Sequence, residues 1–483
     1  MLSWGRATVS PTFCSSAERV PINLLKAPCS ARAVRALRTG LVTLASRALS
    51  IIGTLVTVPL VINYLGPERY GLWATLSVVF VYLRLADGGA TIGLIALVSR
   101  ADGAGDVNRI RALISTAFLL TGTVAALSPV AAVFAHSIDW QWALNLSDPA
   151  LAAEAATATT VIIIATGLGF PASVTRFGRL GLQQGAAANA WDLAASVATF
   201  CGQLTIIYLG LGIVALASLT ALTPVIVNAA GSVAFFTGEG RQWLPRAHLA
   251  KWPIFVALFG SGSMFLGLML TQALSVQMEP VLIARLLGLE AVASYAVVQK
   301  LFAQPQSLVA IFLIAQFPAY GEALTRGDHD WIVGHFRQTL VLATLLAVLL
   351  CGALASIAQP LLRLWIGETV RPTSELVACL MIYGIVATVA NVFTYFFFAL
   401  GLYRRVIMAY AAMIAINIPL AFLLIPRVGP EGAALATSCG YLLALLLPSA
   451  LSLRGILGDL PRLREKALGD APSFLETESE AAA

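Results

Sequence analysis

The sequence predicts an all-α integral membrane protein with twelve transmembrane helices in two six-helix lobes. Three observations predict it. The chain is 59% hydrophobic and 11% charged over 483 residues, whereas a soluble chain carries roughly a quarter charged residues. Runs of about twenty apolar residues recur along nearly its whole length, enough for helices to cross a ~30 Å hydrocarbon core and unlike the alternation of a porin. Short motifs also recur at near-equal spacing in the two halves.

The predicted spans cover residues 41–64, 70–98, 110–134, 150–173, 187–209, 212–237, 253–287, 291–318, 338–359, 375–400, 405–425 and 432–453. Lys and Arg are retained on the cytoplasmic side of short loops. With both termini cytoplasmic, 22 of the 30 cations fall on that side, Arg100, Arg109, Arg111, Arg176, Arg179, Arg241, Arg246 and Lys251 among them. Arg69, Arg285, Arg363, Arg371 and Arg427 fall outside, and Arg47, Arg84 and Lys300 lie within spans. The outer loop 136–149 has no Lys or Arg but carries Trp140 and Trp142, as an interfacial belt does. The net charge of +6 therefore reports membrane topology and implies no nucleic-acid partner.

Leu65-Gly66-Pro67-Glu68 closes the first span and Leu287-Gly288-Leu289-Glu290 the seventh, 222 residues apart. Gly210 with Ala215-Leu216-Ala217-Ser218 matches Gly429 with Ala434-Leu435-Ala436-Thr437 at an offset of 219. The agreement indicates a duplicated six-helix unit, and an even helix number makes the repeats parallel. The expected organisation is a disordered cytoplasmic tail over 1–36 (or an over-long start assignment), an N-lobe over 37–238 and a basic cytoplasmic linker over 239–251. A C-lobe over 252–455 and a cytoplasmic tail over 456–483 complete it. The six cysteines, at 14, 29, 201, 351, 379 and 439, have no metal or redox spacing and read as apolar filler, so neither metal nor cofactor is expected.

Ionisable residues inside lipid cost at least ~2.5 kcal/mol and normally face a partner or a water-filled path. Arg84 lies roughly 21 Å below the outer end of the second span, at 1.5 Å per residue. Arg47 shares that depth on the antiparallel first span. Arg84 and Asp87, three residues apart, are expected on one helix face, with Thr91 continuing it. Snorkelling to the inner headgroups or mutual neutralisation is the alternative. On the eighth span Lys300, Gln304 and Ser307 follow helical spacing, and Gln272, Ser275 and Glu279 form a polar stripe on the seventh beside Pro280. A Glu279 to Lys300 bridge that merely ties helices is the plain reading of that pair.

Leu65-Gly66-Pro67-Glu68-Arg69-Tyr70-Gly71-Leu72-Trp73, followed by Tyr82 and Asp87-Gly88-Gly89, resembles polysaccharide-exporting flippases of the Wzx type. Asn417-Ile418-Pro419-Leu420, with the later Gly429, Gly432-Ala433-Ala434 and Ala436-Thr437, looks like the family's last two helices. Tyr295 with Lys300 looks like its eighth. The resemblance covers about residues 36–455. It implies the MATE-like fold of the multidrug/oligosaccharidyl-lipid/polysaccharide exporter superfamily, two lobes around a central cavity. It also implies an undecaprenyl-pyrophosphate-linked oligosaccharide as substrate. Arg47, Arg84 and Lys300, with Gln304, are the candidates to hold its diphosphate, since guanidinium suits bidentate phosphate contact. The family often has Asp where this chain has Glu279.

A flippase working by alternating access in the bacterial inner membrane, within polysaccharide biosynthesis, is the leading expectation. Membrane lipids surround it, and a polymerase and glycosyltransferases are its expected partners. No Gly-x-x-x-x-Gly-Lys string occurs, so ATP hydrolysis is unsupported. Asp87 and Glu279 are the ion-coupling candidates. A multidrug cation antiporter of the same fold is the alternative transporter, and a membrane-embedded polymerase or ligase the alternative class. The enzyme reading lacks a catalytic constellation: His136, His248, His329 and His335 all read as solvated loop residues.

Overall fold

The computed structural model describes residues 31–465, with the backbone alone for 31–50, 315, 317 and 318. Cys14, Cys29 and most of the two expected tails lie outside the described residues. So does the side chain of Arg47. Helix already begins at Ala31, inside the segment read as a tail.

The first helix, α1 (Ala31–Leu83), is two crossings joined at Gly66, whose φ of 78° and ψ of 169° no helix contains. Pro67 opens the second crossing, where its missing N–H costs nothing. That crossing breaks at residues 84–89 and resumes as α2 (Ala90–Gly103). There follow α3 (Val107–His136), the short α4 (Trp140–Leu144), α5 (Pro149–Gly181), α6 (Gly185–Leu209) and α7 (Gly212–Thr237). The second half holds α8 (Trp252–Val276), α9 (Glu279–Leu287), α10 (Leu289–Arg326) and α11 (His329–Ile366). It closes with α12 (Ser374–Ala399), α13 (Tyr403–Val428), α14 (Glu431–Gly440), a π turn and α15 (Leu447–Gly458).

Among the described residues, 11 helices are long and apolar enough to cross a membrane. One of them, Ile51–Leu83, includes parts of two crossings. Split at Gly66, it yields the twelve crossings the sequence predicts. The protein is a multi-pass membrane protein built entirely of helices among its described residues. Its exposed side chains include Leu127, Phe134, Tyr208, Leu349, Leu364 and Leu451, the lipid-facing counterpart of the core.

Of the two repeated motifs, one keeps its backbone geometry and the other does not: Gly210 has φ 68° and ψ 35°, Gly429 φ 87° and ψ −159°. Gly288, 222 residues after Gly66, has φ 90° and ψ 175°, nearly the same rare geometry. Each glycine ends one crossing and starts the next helix at the face opposite the basic linker.

The halves meet at close backbone contacts. A Cβ on Gly71 would lie 2.0 Å from the Leu289 carbonyl oxygen. Toward the linker face, a Cβ on Gly262 would lie 2.2 Å from the Gly89 oxygen, and one on Gly93 2.3 Å from the Leu258 oxygen. The second crossing thus runs along the other half, against α10 at one end and α8 at the other. The connection 238–251 is no free tether. Trp243 is buried and stacks on Phe235 at 5.9 Å, and the backbone N–H groups of Arg246 and Lys251 donate to Ser115 and Thr116 on α3 at 3.0 and 3.3 Å.

Overpacked sites of this kind cost about 1–3 kcal/mol per added methyl. Gly262→Ala is therefore expected to lower the thermal unfolding midpoint in detergent, whereas Gly260→Ala, with nothing within 4 Å of its Cβ, is expected to leave it unchanged or raise it. Equal effects of the two would refute the seam.

Candidate functional site

The break at residues 84–89 is built from Asp87-Gly88-Gly89. Gly88 and Gly89 take φ of 64° and 77°, conformations open to glycine at no steric cost. Asp87 turns inward to 6% exposure. Its Oδ1 accepts from the Gly89 N–H at 3.0 Å, and its Oδ2 from the Thr91 N–H at 3.2 Å and from the Thr91 hydroxyl. The carboxylate therefore satisfies free donors at the start of α2. The expectation that Arg84 and Asp87 share one helix face is corrected: the helix ends at Leu83, and both residues lie in the break that follows.

Arg84 sits on the break, with its guanidinium 5.9 Å from the Phe80 ring centroid. No ion pair holds it among the described residues. It lies within electrostatic range of Arg176 on α5 and Asp192 on α6. Those two form a bridge, with Arg176 Nε 3.0 and 2.8 Å from the two Asp192 oxygens and Nη2 2.7 Å from Oδ2. Sequence reasoning counted Arg176 only as a topology marker and passed over Asp192. An acid inside the apolar run 187–209 was the signal to follow.

In the second half, Pro280 has no N–H to offer the Val276 carbonyl, and the crossing breaks between α8 and α9. The Ser275 carbonyl is served instead by Asn417 Nδ2 at 2.8 Å. Glu279, 1% exposed, opens α9. Its Oε1 accepts from Thr437 Oγ1 at 2.9 Å, while Oε2 has no partner. Tyr82, Tyr295, Tyr383 and Tyr441 all lie within electrostatic range of the carboxyl, and the buried Tyr295 hydroxyl is also unpartnered. The stripe of Gln272, Ser275 and Glu279 is thus spread over two helices and directed at α13 and α14. Ser275 Oγ donates to the Tyr410 carbonyl at 2.9 Å.

The Glu279 to Lys300 bridge is absent among the described residues. Lys300 Nζ instead donates to Tyr70 Oη at 3.2 Å, crossing from α10 to α1. Gln304 Nε2 donates to the Lys300 carbonyl of its own helix at 3.0 Å. Other contacts join the halves toward the face opposite the linker. Trp365 Nε1 donates to the Leu55 carbonyl at 2.6 Å, and Thr369 Oγ1 to Asn63 Oδ1 at 2.7 Å. The Arg285 guanidinium lies 4.7 Å from the Trp142 ring centroid. Lys300 therefore belongs to a set of contacts that hold the halves together on that side.

His335 is a further correction. It lies inside α11, stacked on Trp331 at 4.4 Å with Nε2 2.6 Å from Gln316 Oε1. It is not a solvated loop residue. His136 ends α3 and His329 begins α11. No group of three His, Cys, Asp or Glu side chains able to hold a metal occurs among the described residues.

The fold is similar to solved transporters. An inward-facing multidrug resistance MATE family transporter of the MOP superfamily matches with a TM-score of 0.72 at 14% identity, over 85% of this chain and 96% of that one. An outward-facing structure of a multidrug resistance MATE family transporter matches at 0.61, 14% identity, 89% and 96%. A eukaryotic MATE transporter matches at 0.61, 15% identity, 90% and 99%. A comparison with curated protein sequences finds no match. A family model described as polysaccharide biosynthesis protein matches residues 36–324. With that match over more than half its length, the chain belongs to the polysaccharide biosynthesis protein family, and its fold is similar to that of MATE transporters.

Proposed function

We propose that this transporter is a Wzx-type flippase that moves undecaprenyl-pyrophosphate-linked oligosaccharide across the bacterial inner membrane by alternating access. The linker face, rich in Lys and Arg, is the cytoplasmic one, and both termini lie there. The observation that carries the reading is Arg84: a guanidinium at membrane depth, held on a helix break, without an ion pair among the described residues and within electrostatic range of Arg176. Such a group needs an anion, and a diphosphate headgroup supplies one. Arg47, on the neighbouring crossing, adds charge at a similar depth. Lys300 and Gln304 act from the other half once the Tyr70 contact is released. The prenyl tail stays in lipid, and no bond is broken.

Glu279 is the stronger ion-coupling candidate. One of its oxygens is bonded and the other is free in a buried, tyrosine-lined place, ready for a proton or a monovalent cation. Asp87 is the weaker one, because every contact it makes is to the start of α2. Glycosyltransferases that build the substrate and a polymerase that consumes it are the expected neighbours. A cation-exporting antiporter is the second reading. It is favoured by the buried carboxyl among tyrosines and by the multidrug transporters of like fold.

Arg84→Ala is expected to cut movement of labelled lipid-linked saccharide in reconstituted vesicles by roughly 10- to 100-fold, the worth of a charge-assisted hydrogen bond of about 1.5–3 kcal/mol. Arg84→Lys is expected to keep part of it. Full activity of Arg84→Ala at equal protein level refutes the role. Drug efflux without saccharide movement by the unaltered chain selects the antiporter, and chain growth selects the enzyme.

Glu279→Gln is expected to remove the acceleration of transport by an imposed ion gradient while leaving slow gradient-free movement. If wild-type transport is the same after both proton and sodium gradients are collapsed, Glu279 couples nothing.

A further inference from the structure

Arg176 and Asp192 form the one charged bridge between α5 and α6 among the described residues, and its position is odd for a structural tie. The two helices are already joined by a three-residue turn, 182–184. Both side chains are about a third exposed, 29% and 33%, so a ligand can reach the pair. The carboxylate takes up the Nε and Nη2 edge of the guanidinium, which is the edge suited to a phosphate oxygen pair. Arg84 lies within range of both charges and has no carboxylate of its own. Among the described residues, the one carboxylate beside these guanidiniums is bonded to Arg176 alone.

Resting on the transport reading above, we propose that Arg176 and Arg84 together form the diphosphate site and that Asp192 is a built-in competing anion, displaced only by a ligand that engages both guanidiniums. A lone phosphate meeting Arg176 gains one bidentate contact and loses another, since it must evict Asp192. A diphosphate meets the same cost but gains a contact to Arg84 as well. Once the diphosphate is seated, like-charge repulsion keeps Asp192 away. The device therefore selects pyrophosphate-linked headgroups over monophosphates, the class to which a spent polyprenyl carrier and free inorganic phosphate belong. Arg176 touches the ligand, and Asp192 sets specificity.

Calorimetric titration of the full chain in nanodiscs with inorganic pyrophosphate and with orthophosphate tests this. The wild type is expected to prefer pyrophosphate by at least about tenfold, one extra charge-assisted contact. Asp192→Asn is expected to tighten orthophosphate binding and narrow that preference to less than about threefold, while Arg176→Ala weakens pyrophosphate binding at least about tenfold. A merely structural bridge gives a lower melting temperature in both variants and an unchanged preference in Asp192→Asn, which overturns the inference. Should Asp192→Asn not fold, infrared difference spectra of the wild type with carbon-13-labelled aspartate decide. Pyrophosphate, but not orthophosphate, is expected to shift a carboxylate band, and no shift overturns the proposal. Selective binding by a chain that moves no lipid-linked saccharide leaves this site standing and removes the transport reading. Transport together with an unaltered preference in Asp192→Asn removes only this inference.

Discussion

Every backbone N–H and C=O at membrane depth must find a partner inside the protein, because hydrocarbon offers none. The two helix breaks are where this constraint bears hardest, and both candidate sites are built on them. At residues 84–89 the backbone closes into short turns: Leu85 N–H to the Tyr82 oxygen at 3.0 Å, Ala86 to Leu83 at 3.0 Å, Gly88 to Leu85 at 3.1 Å and Ala90 to Asp87 at 3.2 Å. Asp87 supplies the remaining acceptors. Its charge is thereby explained by the first amides of α2, and Arg84 is left without the neighbour that sequence spacing assigned to it. A charged residue here has two separate jobs, one for each sign.

The contacts between halves differ in kind. Glycine seams at Gly71, Gly89, Gly93 and Gly262 bring backbone against backbone, and no rotamer change can relieve or restore such a fit. The Lys300–Tyr70, Trp365–Leu55, Thr369–Asn63 and Arg285–Trp142 contacts each depend on one side chain, and an exposed cation–π pair is worth only about 0.5–1 kcal/mol. The side away from the linker is thus held by several small interactions that can break one at a time. Alternating access needs a closure of that sort on the side to be opened.

Composition and the spacing of apolar runs are sufficient for the helices, and the first motif pair coincides with a shared backbone geometry at Gly66 and Gly288. Three features were not legible in the same way. Spacing puts Arg84, Asp87 and Thr91 on one face only where the helix is continuous, and Asp87-Gly88-Gly89 is itself a turn signal. Hydropathy puts His335 in a loop because it marks where lipid ends, not where the helix does. Helix α11 runs 38 residues, well past the hydrocarbon, and carries His335 with it. Arg176 and Asp192 meet across two helices, and no spacing along one helix reveals a partner on the next.

The same three crossings in each half converge on a polar node, and comparing the nodes separates fold from function. In the first half Thr57 Oγ1 donates to Gln203 Oε1 at 3.4 Å and Gln203 Nε2 to Thr220 Oγ1 at 3.2 Å, from α1, α6 and α7. In the second, Thr437 Oγ1 lies 2.9 Å from Glu279 Oε1 and 3.3 Å from Asn417 Oδ1, joining α9, α13 and α14. Thr57 and Glu279 stand 222 residues apart, the repeat offset itself. The first node is neutral, and α1 runs unbroken past Pro59. The second has exchanged a hydroxyl for a carboxyl and broken its helix at Pro280. A neutral node suffices to hold three helices together, so helix packing does not explain the carboxyl. The buried acid belongs to the second half, and Arg84 and Arg176 to the first. An anionic headgroup bound at those guanidiniums would be repelled by a carboxylate beside it, so an acid with a task of its own is better kept in the other half.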